Sequence, residues 1–210
     1  MKLTKRKEQA QKTKSLLFYN AVKKFQEKGY DNVTVEEICK ASGVSKGTFY
    51  VHFNTKEDII RTSYHSQFDD YLHQHFLSFI ENNPHAGVRE KLKNQMLAAL
   101  NFCNVTGVEL TTRAFMYNLS VQLHDRKMEQ YIQNSFQETF EGNFTGLIQD
   151  GIDDDLFQSN LSGQDIYLMI TAFLCGCMIT WCYCGGRYNI VTENQSALQL
   201  LVDNLFFSDK

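Results

Sequence analysis

A single proline, Pro84, occurs in the 210 residues, and this scarcity constrains the fold more than any other feature. Proline ends or kinks a helix, so a chain almost without it can form long helices. Apolar residues recur at helical spacing, and strand-like alternation is scarce. Because 43% of the residues are apolar, the chain can also fill a sizeable core. The sequence therefore predicts an all-α protein of about nine helices.

Capping signals divide the first third of the chain. A first helix is predicted over about 10–28, ending at Gly29, and a second begins at Val35, because Thr34 and Glu37 have capping-box spacing. Gly43 ends the second helix, and Ser45 caps a short third helix over 46–52. A long fourth helix follows Thr55 and runs to the Asn-Asn-Pro sequence at 82–84.

The rest of the chain reads as five further helices. They are predicted near 86–103, 107–119 and 126–150, then from a Ser162 cap to Cys184, and finally after a capping box formed by Thr192 and Gln195.

Charge is distributed unevenly along the chain. Residues 1–56 hold 12 Lys+Arg against 5 Asp+Glu, a net charge of +7, whereas residues 57–210 carry a net charge of −10. A basic module is suited to a phosphate backbone. We therefore predict a DNA-binding domain over 1–56 and a separate acidic helical domain over 57–210.

The second and third helices are joined by a short turn containing Gly43, which is the helix-turn-helix arrangement. In this arrangement the second helix of the pair enters the major groove of DNA. Eight residues are candidate DNA contacts: Thr34, Ser45, Lys46, Gly47, Thr48, Tyr50, His52 and Lys56.

Each candidate has a predicted role. Thr34 and Ser45 lie at helix starts, where unpaired N–H groups suit a phosphate oxygen. Lys46, Lys56 and Tyr50 would bond the DNA backbone, and His52 would contact phosphate rather than base. Gly47 removes a side chain where the helix approaches the duplex. Thr48 is the predicted base reader, because its hydroxyl can meet an acceptor and its methyl a thymine methyl.

The stretch TVEEICKASGVSKGTFYVHFNTKEDII, residues 34–60, resembles the N-terminal signature of the tetracycline-repressor-like (TetR) family of transcriptional regulators. The resemblance covers residues 13–60, and it departs from the usual pattern at Cys39, where alanine is common. Membership implies a homodimer with two N-terminal readers, a C-terminal effector cavity, and dimer contacts from the last two long helices. It also implies a repressor without enzymatic activity or cofactor, released from a palindromic operator by a small molecule.

For the effector cavity and the dimer interface that the resemblance implies, candidate residues are chosen by their type and spacing. An apolar, aromatic effector cavity is predicted from Phe102, Phe115, Tyr117, Phe136, Phe140 and Trp181. A dimer interface is predicted from small residues at four-residue spacing and from apolar residues of the last helix: Ala172, Gly176, Thr180, Leu198, Leu201, Val202 and Leu205.

Three alternatives stay open at this point. The uncharged run from Ile166 to Cys184 is long enough to span a membrane, although a helix buried at a dimer interface would look the same. GVSKG matches the G-x-S-x-G elbow of esterases, but the preceding segment is predicted to be helical, whereas the elbow needs a strand.

The cysteines and histidines give the third alternative. Four cysteines in CGCMITWCYC, from Cys175 to Cys184, suggest a redox- or metal-responsive DNA-binding regulator without a small-molecule pocket. Cys175 and Cys177 lie about 200° apart on a regular helix, as do His73 and His75, so neither pair is placed to chelate one ion. The charged N-terminus lacks the apolar segment of a secretory signal, which predicts a cytoplasmic protein with reduced thiols.

Overall fold

The structure is a computed structural model that describes residues 5–124, 144–158 and 161–207. It confirms the all-α prediction. In chain order the helices are α1 (Lys5–Lys28), a 3-10 turn (Tyr30–Asn32), α2 (Val35–Ser42), α3 (Lys46–His52), α4 (Lys56–Asn82), α5 (Val88–Thr106), α6 (Val108–His124), α7 (helical over 144–153), α8 (Gly163–Tyr183) and α9 (Ile190–Leu205).

The turn between α2 and α3 has the geometry that its sequence predicts. Thr34 and Glu37 form a reciprocal capping box at the start of α2. Gly43 adopts the left-handed conformation, with φ of 64°, and its N–H bonds back to the last carbonyls of α2. Ser45 then caps α3, its hydroxyl accepting from the N–H of Thr48. Short-range bonds therefore fix both ends of the turn.

Two helix starts differ from the prediction. α1 begins at Lys5 instead of residue 10, so several polar residues extend it. α9 begins at Ile190, because the Asn189 side chain accepts from the N–H groups of Val191 and Thr192. The predicted capping box at Thr192 was wrong, since this residue already lies in the first turn of the helix.

The chain divides into two compact units. The first, here called the head unit, comprises the described residues among 1–67 together with 106–121. Its core is formed by one apolar stripe of α1 and by residues of the next three helices: Leu17, Phe18, Ala21, Val22, Phe25, Ile38, Phe49, Phe53 and Ile59. Each fully buried side chain of this size stabilises the fold by about 1.5–3 kcal/mol.

The start of α6 belongs to the head unit. The carboxylate of Glu109 accepts the backbone N–H of Tyr30 at 2.9 Å. Arg113 lies 4.0 Å from the centre of the Tyr30 ring and bonds Asp31 at 3.3 Å. These contacts fix the turn that precedes α2.

The second unit, here called the body unit, comprises the described residues among 68–105 and 122–210. Phe68 and Tyr71 of α4 pack their rings 5.4 and 5.2 Å from that of Phe102 on α5. Phe157 forms an isolated antiparallel bridge with Phe206, and their rings lie 4.6 Å apart.

α8 is long and apolar enough to cross a membrane by length and composition alone. It also carries a stripe of side chains buried inside the unit: Ile166, Ile170, Thr171, Leu174, Cys177, Met178 and Trp181. That stripe is typical of a helix that packs one face on a protein core.

Candidate nucleic-acid interface

The start of α3 presents hydroxyl and cationic groups at the surface. The Ser45 Oγ accepts the Thr48 N–H at 3.0 Å and lies 2.9 Å from the Thr48 Oγ1. A methyl group added at Gly47 would meet Ser45 Oγ at 3.6 Å, an ordinary contact distance. The fold itself therefore does not require glycine here, and the absent side chain leaves room for a molecule outside the head unit.

Along α3, apolar and polar side chains separate onto two sides. Phe49 is fully buried and Phe53 nearly so, whereas the side chain of Tyr50 is 54% exposed. Thr48 and His52 are half-buried. The predicted contact residues of α3 thus lie together on or at the edge of its solvent side.

Lys46 pairs with a residue that sequence reasoning missed. Its ammonium group binds the carboxylate of Glu36 on α2, and both side chains remain more than half exposed. This bond raises the pKa of Lys46 and lowers the pKa of Glu36. The pair lies ten residues apart across the turn, a spacing with no periodic signal.

Lys56 points into the head unit. Its Nζ donates to the carbonyls of Tyr30 at 2.6 Å and Val33 at 3.0 Å, and lies 4.2 Å from the centre of the Tyr30 ring. Because an ammonium group has three donors, one N–H remains for a phosphate. The predicted surface cation is therefore also a structural tie between the start of α4 and the loop before α2.

The hydroxyl of Thr34 is already hydrogen-bonded within its own helix. Its hydroxyl donates to the Glu37 carboxylate at 3.2 Å and accepts the Glu37 N–H. The bonds from Lys28 and from the Thr34 N–H lower the pKa of Glu37 to about 2, so this carboxylate stays ionised. The resulting negative charge beside Thr34 disfavours the phosphate contact that the sequence predicts there.

His52 lies at the end of α3 beside a cation. Burial, and then the charge of Lys14, lower the pKa of His52, which favours the neutral imidazole. The Lys14 Nζ donates to the Thr62 carbonyl at 3.1 Å and lies 5.7 Å from the centre of the Phe53 ring. This lysine therefore joins α1 to the end of α3.

The predicted effector residues that the structure describes are divided between the two units. Phe136 and Phe140 lie outside the described residues. Phe102 and Trp181 are buried in the body unit, where the Trp181 indole donates to the Tyr188 carbonyl at 2.8 Å. In the head unit Phe115 is half-buried, and the Tyr117 ring lies 6.0 Å from the Arg61 guanidinium.

A depression of about 660 Å³ opens where α4 ends and α5 begins. Phe79, Pro84 and Leu97 line it together with polar side chains that include Asn94. Its lining includes none of the predicted effector residues.

The predicted dimer residues fall into two groups. Ala172, Gly176 and Thr180 are exposed on α8, in line with a surface open to a partner. Leu168, Met169, Ile179 and Tyr183 are exposed apolar residues of the same helix. In contrast, Leu198, Val202 and Leu205 are fully buried within the single chain, and Leu201 is half-buried. These three buried leucine and valine side chains are core residues and have no surface to offer a second chain.

The cysteines do not form a metal centre in the described part of the chain. No group of three His, Cys, Asp or Glu side chains is placed to hold an ion among the described residues. Burial raises the pKa of Cys175 to about 11, and the Cys177 thiol donates to the Asn194 amide oxygen at 3.2 Å. Cys184 is exposed. Low thiolate content disfavours reactivity at Cys175.

The remaining alternative concerns Ser45. The segment before it is the helix α2, and the strand that an esterase elbow needs is absent there.

Comparisons with known proteins agree with this geometry. Residues 19–62 match the family described as bacterial regulatory proteins, tetR family. Over 190 residues, 88% of this chain and 91% of the relative, the chain is 27% identical to a fatty acid metabolism regulator protein of Bacillus subtilis. It is 28% identical to the biofilm operon negative transcriptional regulator IcaR of Staphylococcus aureus, over 65% of this chain and 62% of IcaR.

Solved structures show the same fold. The FadR regulator of Bacillus subtilis, determined in complex with stearoyl-CoA, superposes with a TM-score of 0.61 at 22% identity, covering 91% of this chain and 98% of FadR.

Proposed function

We propose that this chain, a tetR-family transcriptional regulator, represses transcription by occupying an operator with α3 in the major groove. The observation that carries the proposal is the solvent side of α3, where Ser45, Lys46, Thr48 and Tyr50 lie around a glycine that packing does not require. Small, hydroxyl-bearing and cationic side chains on a short helix suit close approach to a duplex.

Within this proposal Lys46 contacts phosphate and Thr48 reads a base. Lys46 must then exchange Glu36 for a phosphate oxygen when the duplex binds. A phosphate contact affects all sequences alike, whereas a base contact affects one position.

The test begins with selection of bound duplexes from random sequence by the purified chain. Lys46→Ala should weaken binding to every selected duplex. It should also reduce the salt slope, which is the slope of the logarithm of the binding constant against the logarithm of salt concentration, by about 0.9 for each chain bound. Thr48→Ala should relax the preference at one base position, costing about 1–3 kcal/mol there. Lys91→Ala on α5 is the control of equal charge. Failure to select any duplex even at low salt would refute the proposal.

The assembly that we propose is a homodimer with two readers, in the cytoplasm, on half-sites about 34–36 Å apart. The exposed α8 surface around Ala172, Gly176 and Thr180 supports a close helix contact, because small residues allow two backbones to approach. Gly176→Glu should produce monomers in sedimentation equilibrium and abolish tight operator binding. A Gly176→Glu protein that still sediments as a dimer would place the interface elsewhere.

The effector that we propose is an amphipathic molecule with a long acyl chain. The support is similarity to a fatty acid metabolism regulator protein, and similarity of fold to a regulator that was solved in complex with stearoyl-CoA. Binding would shift α4 and change the separation of the two heads. Stearoyl-CoA should weaken operator binding by about 5- to 150-fold, the usual range of allosteric coupling, whereas CoA alone should not.

Cysteine-based sensing is the second candidate, and the exposed Cys184 favours it. If stearoyl-CoA leaves operator affinity unchanged while a peroxide changes it, this second candidate replaces the first. A chelator arm tests the metal-responsive form of the same idea.

A further inference from the structure

The first turns of α1 extend beyond the core of the head unit. Residues 5–12 are all exposed, and the first buried residue of the helix is Leu17. At 1.5 Å per residue this exposed segment is about 12 Å long. It holds four of the cations of the basic N-terminal region, Lys5, Arg6, Lys7 and Lys12, against one acid, Glu8.

These cations lie on two sides of the helix. With 100° per residue, Arg6 and Lys7 fall within about 80° of Lys14, whereas Lys5 and Lys12 lie about 160–180° away from it. Lys14 bonds Thr62 and its charge acts on His52 at the end of α3. The face of α1 that carries Arg6 and Lys7 is therefore the face on which Lys14 lies, next to the end of the proposed recognition helix α3.

A purely structural role does not explain these charges. Positive side chains in the first turn oppose the helix dipole and destabilise the helix slightly. No ion pair involves Arg6 or Lys7 among the described residues, and no core packs against them. Within the described part of the chain, nothing competes with an outside anion for these two side chains.

We propose that Arg6 and Lys7 bind the phosphate backbone of the operator outside the segment read by α3. The inference rests on the proposed function, which it deepens by adding a second contact surface. Charge complementarity and continuity with the end of α3 favour a duplex over other partners. Lys7 lies seven residues before Lys14, about 10.5 Å along the axis, which corresponds to about three base-pair steps.

The test compares two double variants of the same helix and the same charge change. Arg6→Gln with Lys7→Gln removes the proposed contacts, and Lys5→Gln with Lys12→Gln removes two cations from the opposite face. Binding to a selected duplex is measured between 50 and 200 mM salt. The loss of two phosphate contacts reduces the salt slope by about 1.8 for each chain bound. Over this salt range the affinity of the wild type should therefore fall about tenfold more than the affinity of the Arg6 and Lys7 variant.

The second arm uses the wild-type chain. Trimming about four base pairs from each end of the selected duplex should remove the same part of the salt slope, and this arm does not depend on how any variant folds. The Lys5 and Lys12 variant should change the slope little, because its charges lie farther from the duplex and are screened.

The outcomes separate the two proposals. If wild type selects a duplex but both double variants reduce the slope equally, or neither does, the contact by Arg6 and Lys7 is refuted while operator binding stands. If trimming the duplex leaves the slope unchanged, the contact is refuted as well. If wild type selects no duplex, the proposed function itself fails.

Discussion

Replacing Lys56 by alanine should reduce the stability of the head unit before any effect on DNA binding is considered. Its ammonium group ties the start of α4 to the carbonyls of Tyr30 and Val33 and lies over the Tyr30 ring. Lys46, the other predicted phosphate cation, has an exposed partner only. Two lysines with the same predicted role from sequence should therefore behave differently on unfolding.

The size of the effect follows from the contacts of Lys56. A hydrogen bond to a charged group contributes about 1.5–3 kcal/mol, and a cation–π contact about 0.5–1 kcal/mol. These contributions are not additive, and water can reach the carbonyls once this half-buried side chain is gone. We therefore expect a loss of about 2 kcal/mol, which for a chain of this size lowers the unfolding midpoint by about 4–8 °C.

Thermal unfolding followed by far-ultraviolet circular dichroism measures this loss. The fluorescence of the single tryptophan is a second probe, but Trp181 lies in the body unit and reports on that unit. Lys46→Ala is the matched control and should leave the midpoint unchanged, because exposed ion pairs contribute little. Equal midpoints for wild type and Lys56→Ala would show that the inward bonds do not stabilise the fold.

Three further predictions concern charge. The pKa of His52 is lowered in the free chain and a bound phosphate would raise it, so DNA binding should take up a proton. Operator affinity should therefore rise by up to about tenfold per pH unit as the pH falls from 7.5 to 6. His52→Gln should remove this pH dependence. Glu36→Gln should raise operator affinity by up to about fivefold at constant salt, because Lys46 then binds its phosphate without giving up an exposed carboxylate partner; an unchanged affinity would contradict competition between carboxylate and phosphate. Burial raises the pKa of Asp69 to about 6, so the ionised carboxylate destabilises the fold above that pH. After allowance for the partial exposure of this side chain, Asp69→Asn should stabilise the chain by about 1 kcal/mol at pH 7 and not at pH 4. Urea unfolding at the two pH values measures the difference.

The turn between α2 and α3 could be predicted to the residue because the bonds that fix it are local. The Thr34 box, the Gly43 stop and the Ser45 cap each act within a few residues, so their signals are written in short stretches of sequence. The inward position of Lys56 could not be predicted in the same way. Its partners lie 23 and 26 residues earlier in the chain and meet it only after folding.

The last helix gives a similar lesson. Apolar spacing at Leu198, Val202 and Leu205 correctly indicates a buried stripe on α9, but periodicity does not say what buries it. In the structure their own chain does so. At the start of α9, the amide of Asn189 caps the helix ahead of Thr192, because the side chain that reaches the first free N–H groups sets the boundary.

The contacts of α6 determine how the head unit can be joined to another protein. Glu109 supplies the acceptor for the Tyr30 N–H across 79 residues of chain, and Arg113 reaches Asp31 across 82. A fragment cut after α4 would lose both groups and leave the turn before α2 without its supports. A chimera that joins this head unit to a foreign sensor therefore needs three junctions: one within α4, one before α6 and one after the first turns of α6.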